Sequence, residues 1–167
     1  MDFLIEILRQ SYPCGKPYFQ TFSYETENLE ETVLSALTAL NERDTLRDRS
    51  GNEAPPIGFD CGCLQKKCGA CAMVINGRPA LACGVRLSEC KVRIRIEPLK
   101  KFPVVKDLAV DRSIMRENLK TLRLWLEEWG EDKAFETEYE ASRCLQCGCC
   151  LEVCPNFYAG GAFAGMA

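Results

Sequence analysis

The sequence predicts an α+β protein in two parts: a β-rich N-terminal domain over residues 1–99 and a partial, helical C-terminal domain over residues 106–167. Three observations carry that expectation. Residues 3–8, 18–24 and 91–96 alternate apolar and polar positions with the period of a strand. Val33, Leu34, Leu37 and Leu40, and later Met115, Leu119, Leu122, Leu126 and Trp129, recur at helical spacing. All the cysteines except Cys14 and Cys90 fall in two runs, one over residues 61–83 and one over residues 144–154.

Taken in order, residues 3–8 and 18–24 read as a β-hairpin turned at Pro13 and Gly15. Asn28 followed by Glu31 reads as a helix-entry capping pair ahead of the Val33 to Leu40 face. A polar connection through Ser50-Gly51-Asn52 and Pro55-Pro56 leads to the first cysteine run. Residues 72–75 and 78–82 then flank Asn76-Gly77, the dipeptide that a two-residue hairpin turn favours. This places Cys71 and Cys83 near adjoining strand ends. Residues 91–96 form the last strand of the domain, with Val92, Ile94 and Ile96 on one side and Lys91, Arg93 and Arg95 on the other. Residues 97–105, with Pro98 and Pro103, read as a linker. A helix follows until Gly130, and a charged connection over 131–140 delivers the second cysteine run.

Composition restricts the chemistry. The 167 residues, 47% hydrophobic and 27% charged, are a normal globular balance. A net charge of -3 without an extended basic footprint excludes nucleic acid as the expected partner. No apolar run is long enough for a membrane span, and the acids and Arg9 within the opening residues are unlike a signal peptide, so the chain is expected to be cytoplasmic. Twelve cysteines without a secretory signal are expected to be thiolate ligands rather than a disulfide framework. The chain has no histidine, which excludes a Ser-His-Asp triad, a His-ligated haem and every His-containing zinc site within it.

Cys63-x4-Cys68-x2-Cys71, then Cys83 after eleven further residues, is the spacing of a plant-type [2Fe-2S] site. Such a cluster needs four thiolates, three from one loop and the last from a neighbouring strand. Gly69, Ala70 and Ala72 are small enough to let backbone N–H groups approach the sulfurs. The competing reading is a structural zinc knuckle built on Cys68-x2-Cys71. Cys61 lies outside the spacing and reads as a packing thiol, with a substitute-ligand role left open.

Cys144-x2-Cys147-x2-Cys150-x3-Cys154-Pro155 matches the bacterial ferredoxin run, in which the last cysteine serves a different cluster from the first three. No cysteine follows Cys154, so the first three lack a fourth ligand and Cys154 lacks partners. With the uncharged run 156–167 at its end, the chain is read as truncated. A zinc-binding or simply reduced cysteine turn is the alternative. Cys149 reads as a non-ligand, and Cys14 and Cys90 as packing residues.

Three blocks, FDCGCLQKKCGACAMVINGRPALAC, FPVVKDLAVDRS and RCLQCGCCLEVCPNFYAGGAF, resemble successive segments of the succinate dehydrogenase/fumarate reductase iron-sulfur subunit. The resemblance implies a β-grasp ferredoxin domain with the [2Fe-2S] cluster on Cys63, Cys68, Cys71 and Cys83, followed by the start of an α-helical ferredoxin domain. It assigns Cys144, Cys147 and Cys150 to a [4Fe-4S] cluster and Cys154 to a [3Fe-4S] cluster, the other ligands lying beyond residue 167. Lys66 departs from the glycine common in the family. A positive side chain from Lys66 or Lys67 beside the cluster would raise its potential, although a solvated loop lysine is the preferred reading.

By the same resemblance the chain would relay single electrons between a flavoprotein subunit bearing FAD and a membrane anchor that handles quinone. It would sit peripherally on the inner side of the cell membrane and perform no substrate chemistry itself. The [2Fe-2S] end would dock the flavoprotein, and the basic face of Lys91, Arg93 and Arg95 could contribute, although a solvated strand face is the preferred reading. A free-standing ferredoxin-like carrier and a zinc-stabilised interaction module are the alternatives.

Overall fold

The computed structural model describes residues 1–121, 135–163 and 165. Its main feature is a five-stranded mixed sheet of order β2-β1-β5-β3-β4, built from β1 (Asp2–Arg9), β2 (Tyr18–Glu25), β3 (Ala72–Ile75), β4 (Arg78–Leu81) and β5 (Arg93–Glu97). β1 and β2 form the expected antiparallel hairpin, with Phe3 opposite Tyr24 and Ile5 opposite Phe22. β5 joins β1 in parallel, setting Ile94 beside Ile5 and Ile96 beside Ile7. These four isoleucines are fully buried, each contributing about 1.5–3 kcal/mol. Asn76 and Gly77 both take positive φ in the β3–β4 turn, the backbone that the dipeptide was expected to supply. Pro79 is tolerated because β4 is an edge strand.

Helix α1 (Val33–Asn41) covers the sheet, burying Val33, Leu34, Ala36, Leu37 and Leu40 in a core shared with Phe3, Ile5, Phe22, Met73 and Ile94. Its cap differs from the expected one. Thr32 is the N-cap, its hydroxyl accepting from Ser35 N at 3.1 Å. Asn28 and Glu31 are engaged elsewhere: Asn28 Oδ1 accepts from Glu30 N at 3.1 Å, and the Glu31 carboxylate accepts from the Tyr24 hydroxyl at 2.6 Å. The last strand also begins later than expected, at Arg93, and Val92 is exposed rather than facing the core with Ile94 and Ile96.

Residues 97–105 are not a loose linker. Leu99 and Phe102 are buried in a second apolar cluster with Ala72, Val74, Val110, Met115, Leu151 and Phe157. β3 is therefore buried on both faces. Met73 and Ile75 face the first core, while Ala72 and Val74 face the second. This strand is the wall shared by the two parts of the molecule. A short hairpin, β6 (Val104–Lys106) and β7 (Ala109–Val110), follows, then α2 (Ser113–Thr121). Residues 135–140, expected as part of the charged connection over 131–140, belong instead to helix α3 (Phe135–Ser142), and α4 (Cys149–Val153) completes the described elements. Leu122, Leu126, Trp129 and the Gly130 stop lie outside the described residues.

One anchor between the two parts has no local signature. Arg9, at the end of β1, places Nε 3.0 Å from Asp107 Oδ1, both side chains being 1% exposed. Its Nη atoms donate to Gln20 Oε1 and to the carbonyls of Pro55 and Pro56 at 3.0–3.3 Å. The Asp107 carboxylate also accepts from Gln10 N at 2.9 Å and Gly58 N at 2.8 Å, so both buried charges are paired and hydrogen-bonded. Among the described residues, no helix is long and apolar enough to cross a membrane.

Candidate metal centre

The first cysteine loop is held at its entry and its exit. Asn41, the last residue of α1, makes a reciprocal pair with Ile57, its Oδ1 accepting from Ile57 N and its Nδ2 donating to Ile57 O, both at 2.8 Å. One residue later, Gly58 N donates to the buried Asp107. At the other end Ala82 N donates to Cys71 O at 3.0 Å, which sets Cys83 against Cys71 where β3 begins and β4 ends. Between these anchors Leu64, Lys66 and Gly69 adopt positive φ, curling the chain so that its amides point inward.

The four thiols converge as two pairs. Cys63 hydrogen-bonds with Cys68, and Cys71 with Cys83. Five backbone N–H groups donate to their sulfurs: Gln65 N and Lys67 N to Cys63 at 3.3 and 3.1 Å, Cys63 N to Cys68 at 3.3 Å, Lys66 N to Cys83 at 3.3 Å, and Cys83 N to Cys71 at 3.5 Å. The amides of Gln65 and then Lys67 hold the half-buried Cys63 thiol down to about 7. Burial pushes Cys71 up to about 11. Such an arrangement suits negative charge on sulfur, because the N–H dipoles stabilise a thiolate without competing for its place on a metal. Among the described residues, no three His, Cys, Asp or Glu side chains gather closely enough to hold a single metal ion, at either cysteine run.

Lys66 does not project freely from this loop. Its Cγ, Cδ and Cε atoms lie across Gly84, where a Cβ would come within 2.7–3.2 Å of them, so the side chain covers the turn that carries Cys83. The basic face of β5 is largely neutralised within the domain. Arg93 pairs with Glu6 at 2.7 Å, and Arg95 pairs with Glu97 at 2.9 Å while lying 4.1 Å from the centre of the Phe19 ring.

The second cysteine run is arranged differently. Cys144 and Cys150 are exposed, and Cys147, Cys149 and Cys154 are half-buried. Gln146 N donates to Cys144 Sγ at 3.4 Å. Cys147 is hydrogen-bonded to Cys149, the residue read as a non-ligand. That bond holds Cys147 down to about 6 and, with burial, pushes Cys149 far up. The carbonyl of Cys154 accepts from Lys101 Nζ, and Glu152 accepts from Lys101 N at 3.1 Å, which fastens α4 to residues 97–105. Cys144, Cys147 and Cys150 do not meet around one centre. Cys61 and Cys14 are exposed, whereas Cys90 is half-buried beside the first core, with its thiol raised by burial.

Two features of the site were missed in the sequence. Gly69, at φ +72°, backs directly onto the second run, where a Cβ would come within 2.7 Å of Leu145 O and 2.9 Å of Cys147 Cβ. Arg112 reaches both runs at once, donating to Gly69 O, Ala70 O and Cys147 O. Arg112 stands in the FPVVKDLAVDRS block, and nothing in its immediate neighbours marks it out.

Fold and thiol geometry together define a cluster-binding ferredoxin-like protein. Residues 4–117 match the model of the 2Fe-2S iron-sulfur cluster binding domain, and the chain belongs to that family. Within it the chain is similar to the succinate dehydrogenase iron-sulfur subunit of Bacillus subtilis, with 37% identity over 96% of this chain and 66% of the relative. It is also similar to the fumarate reductase iron-sulfur subunit of Wolinella succinogenes, with 30% identity over 92% of this chain and 65% of the relative. An uncharacterized iron-sulfur protein of Methanocaldococcus jannaschii is 33% identical over 91% of this chain, which covers 30% of that protein. Among solved structures, a chain of the Mycobacterium smegmatis Sdh1 complex in the apo form superposes with a TM-score of 0.71 at 25% identity, over 93% of this chain and 64% of that one. The chain thus spans about two thirds of the length of the succinate dehydrogenase and fumarate reductase relatives. The resemblance read from the three sequence blocks is borne out, as is the α+β ferredoxin-like fold.

Proposed function

We propose that this chain is the electron-relay subunit of a succinate dehydrogenase/fumarate reductase-type complex, holding a [2Fe-2S] cluster on Cys63, Cys68, Cys71 and Cys83. The observation that carries the reading is the grouping of the four thiols into two pairs, with five backbone amides directed at their sulfurs. When bound, the cluster supplies one-electron redox chemistry. The chain's own tasks are ligation, orientation and tuning. Cys63 with Cys68 would serve one iron and Cys71 with Cys83 the other. The amides of Gln65, Lys66 and Lys67 would stabilise the negative charge that reduction adds. Burial of Cys71 and Cys83 excludes water from the inner side, while exposed Cys68 and half-buried Cys63 leave the outer side open to a partner.

On the same reading, Cys144, Cys147 and Cys150 would serve a [4Fe-4S] cluster and Cys154 a [3Fe-4S] cluster. The division of the chain at residues 99 and 106 separates the two cluster-bearing parts. An FAD-bearing flavoprotein would dock at the exposed side of the first loop, and a membrane anchor that handles quinone would receive electrons from the second part. This would place the chain peripherally on the inner side of the cell membrane. It carries no substrate chemistry.

A second reading, a ferredoxin-like carrier of another oxidoreductase, uses the same cluster site; the similarity extends to an uncharacterized iron-sulfur protein of which the matching segment is less than a third. Two measurements test these readings. Anaerobic reconstitution is expected to give at least two irons and two sulfides per chain and an axial low-temperature EPR signal on reduction. Stoichiometric zinc without visible absorption would sink both. Co-purification with a flavin-bearing protein from the native host supports the relay subunit, and its consistent absence favours the carrier.

A further inference from the structure

Arg112 stands at the seam between the two cysteine runs. Its Nη1 donates to Gly69 O at 2.8 Å and to Cys147 O at 3.3 Å, and its Nη2 donates to Ala70 O at 3.1 Å. Gly69 and Ala70 immediately precede Cys71, so one guanidinium grips the backbone of both runs next to a thiol in each. The contact beneath it is tight, since Gly69 touches Leu145 and Cys147 without room for a Cβ. The side chain is 19% exposed and forms a long ion pair with Asp60 Oδ2 at 4.0 Å. Its hydrogen-bond partners are thus neutral carbonyls, and the exposed Asp60 at the limit of ion-pair distance offsets its charge only in part beside Cys71 and Cys147. The cleft over it, about 550 Å³, is lined by Cys68, Ala70, Ser113, Arg116 and Gln146, and so joins the first cysteine loop to the second.

We propose that Arg112 is a positioning residue that clamps the two cysteine runs at a fixed separation, and that its charge favours the reduced form of the cluster on Cys63, Cys68, Cys71 and Cys83. The second half rests on the proposed ligand assignment; the first does not. The physical basis differs between the halves. A planar fork with several N–H groups satisfies three carbonyls at once, which an ammonium on a flexible stem cannot do in the same geometry. A positive charge near a cluster that gains an electron stabilises the product, whichever cation supplies it.

Two variants separate these effects in the reconstituted chain. Arg112→Met removes fork and charge, and Arg112→Lys removes the fork alone. Amide hydrogen exchange at residues 144–150 reads the clamp, and the fraction of [2Fe-2S] reduced at a fixed solution potential, measured by EPR, reads the charge. Exchange at 144–150 is expected to rise about tenfold or more in both variants while the amides of β1 and β5 stay protected. The ratio of reduced to oxidised cluster is expected to fall at least about threefold in Arg112→Met and to stay near wild type in Arg112→Lys. Wild-type exchange at 144–150 in both variants overturns the clamp, and an unchanged reduced fraction in Arg112→Met overturns the charge effect. Should the methionine variant not fold, the lysine variant decides: raised exchange with an unaltered reduced fraction supports the proposal, and wild-type exchange overturns it. A wild-type chain that takes up no cluster overturns the ligand assignment and the charge effect with it, while the exchange result still decides the clamp.

Discussion

The two cysteine runs contain similar chemistry on different foundations. The first hangs between α1 and the β3–β4 hairpin, so that four thiols separated by up to twenty positions in the chain meet through a sheet register that the core enforces. Backbone amides from its own loop already face the sulfurs. The second run rests on the short helix α4 and on residues 97–105, with Cys144 and Cys150 exposed and Cys147 engaged with Cys149. A set of thiols brought together by the sheet, with amides already facing the sulfurs, differs in this way from one carried by a short helix and the turn before it.

The largest expected break in this contrast comes from Cys71→Ser. Cys71 is buried, paired with Cys83, and receives the Cys83 amide, so its loss is expected to abolish the [2Fe-2S] absorption and EPR signal while far-UV circular dichroism stays near wild type. A stable wild-type cluster in that variant would contradict its ligand role. Asp107→Asn attacks the support instead of the ligand. It leaves Arg9 charged and buried without its counter-ion, at a cost of about 3–5 kcal/mol, measurable as a fall in denaturant midpoint. The amides of Gly58 and Gln10 are expected to lose exchange protection in the same variant.

Gly69→Ala sharpens the comparison at the seam. It forces a Cβ against Leu145 O and Cys147 in a left-handed backbone conformation, so a loss of about 1–3 kcal/mol is expected, with displacement of the second run detectable by exchange at residues 144–150. A variant as stable as the wild type would show that the runs do not press on one another.

The smallest effect concerns pH in the cluster-free chain. Cys63, held down to about 7 by the amides of Gln65 and Lys67, is largely thiolate at pH 8. Cys71, raised to about 11 by burial, remains a thiol there. Alkylation at pH 8 is therefore expected to label Cys63 on the order of a hundredfold faster, with its rate falling as pH drops through about 7. Equal rates would remove the electrostatic distinction between the outer and inner thiols.

What the sequence made legible was local. The β1–β2 hairpin, the apolar face of α1, the Asn76-Gly77 turn and the spacing of Cys63, Cys68, Cys71 and Cys83 each depend on residues close in the chain, where periodicity and turn chemistry speak directly. The helix cap shows the limit of that approach. Asn28 and Glu31 had the right chemistry, but the Tyr24 hydroxyl and a tight turn claimed them, and Thr32 capped instead. Leu99 and Phe102 were hidden among prolines that suggested a linker, because nothing local reveals that Ala72 and Val74 offer a second apolar face. Arg9 with Asp107, and Arg112 with Gly69 and Cys147, join positions tens of residues apart. Periodicity carries no record of such pairs. They are products of the sheet order, and they are the contacts that hold the two cysteine runs in place.

The most direct test isolates the first run. In a chain with Cys144, Cys147, Cys150 and Cys154 all changed to serine, anaerobic reconstitution followed by iron and sulfide analysis and EPR spin counting is expected to give two irons, two sulfides and close to one reducible spin per chain. A chain so altered that remains folded yet yields no such signal would contradict the assignment of the cluster to Cys63, Cys68, Cys71 and Cys83.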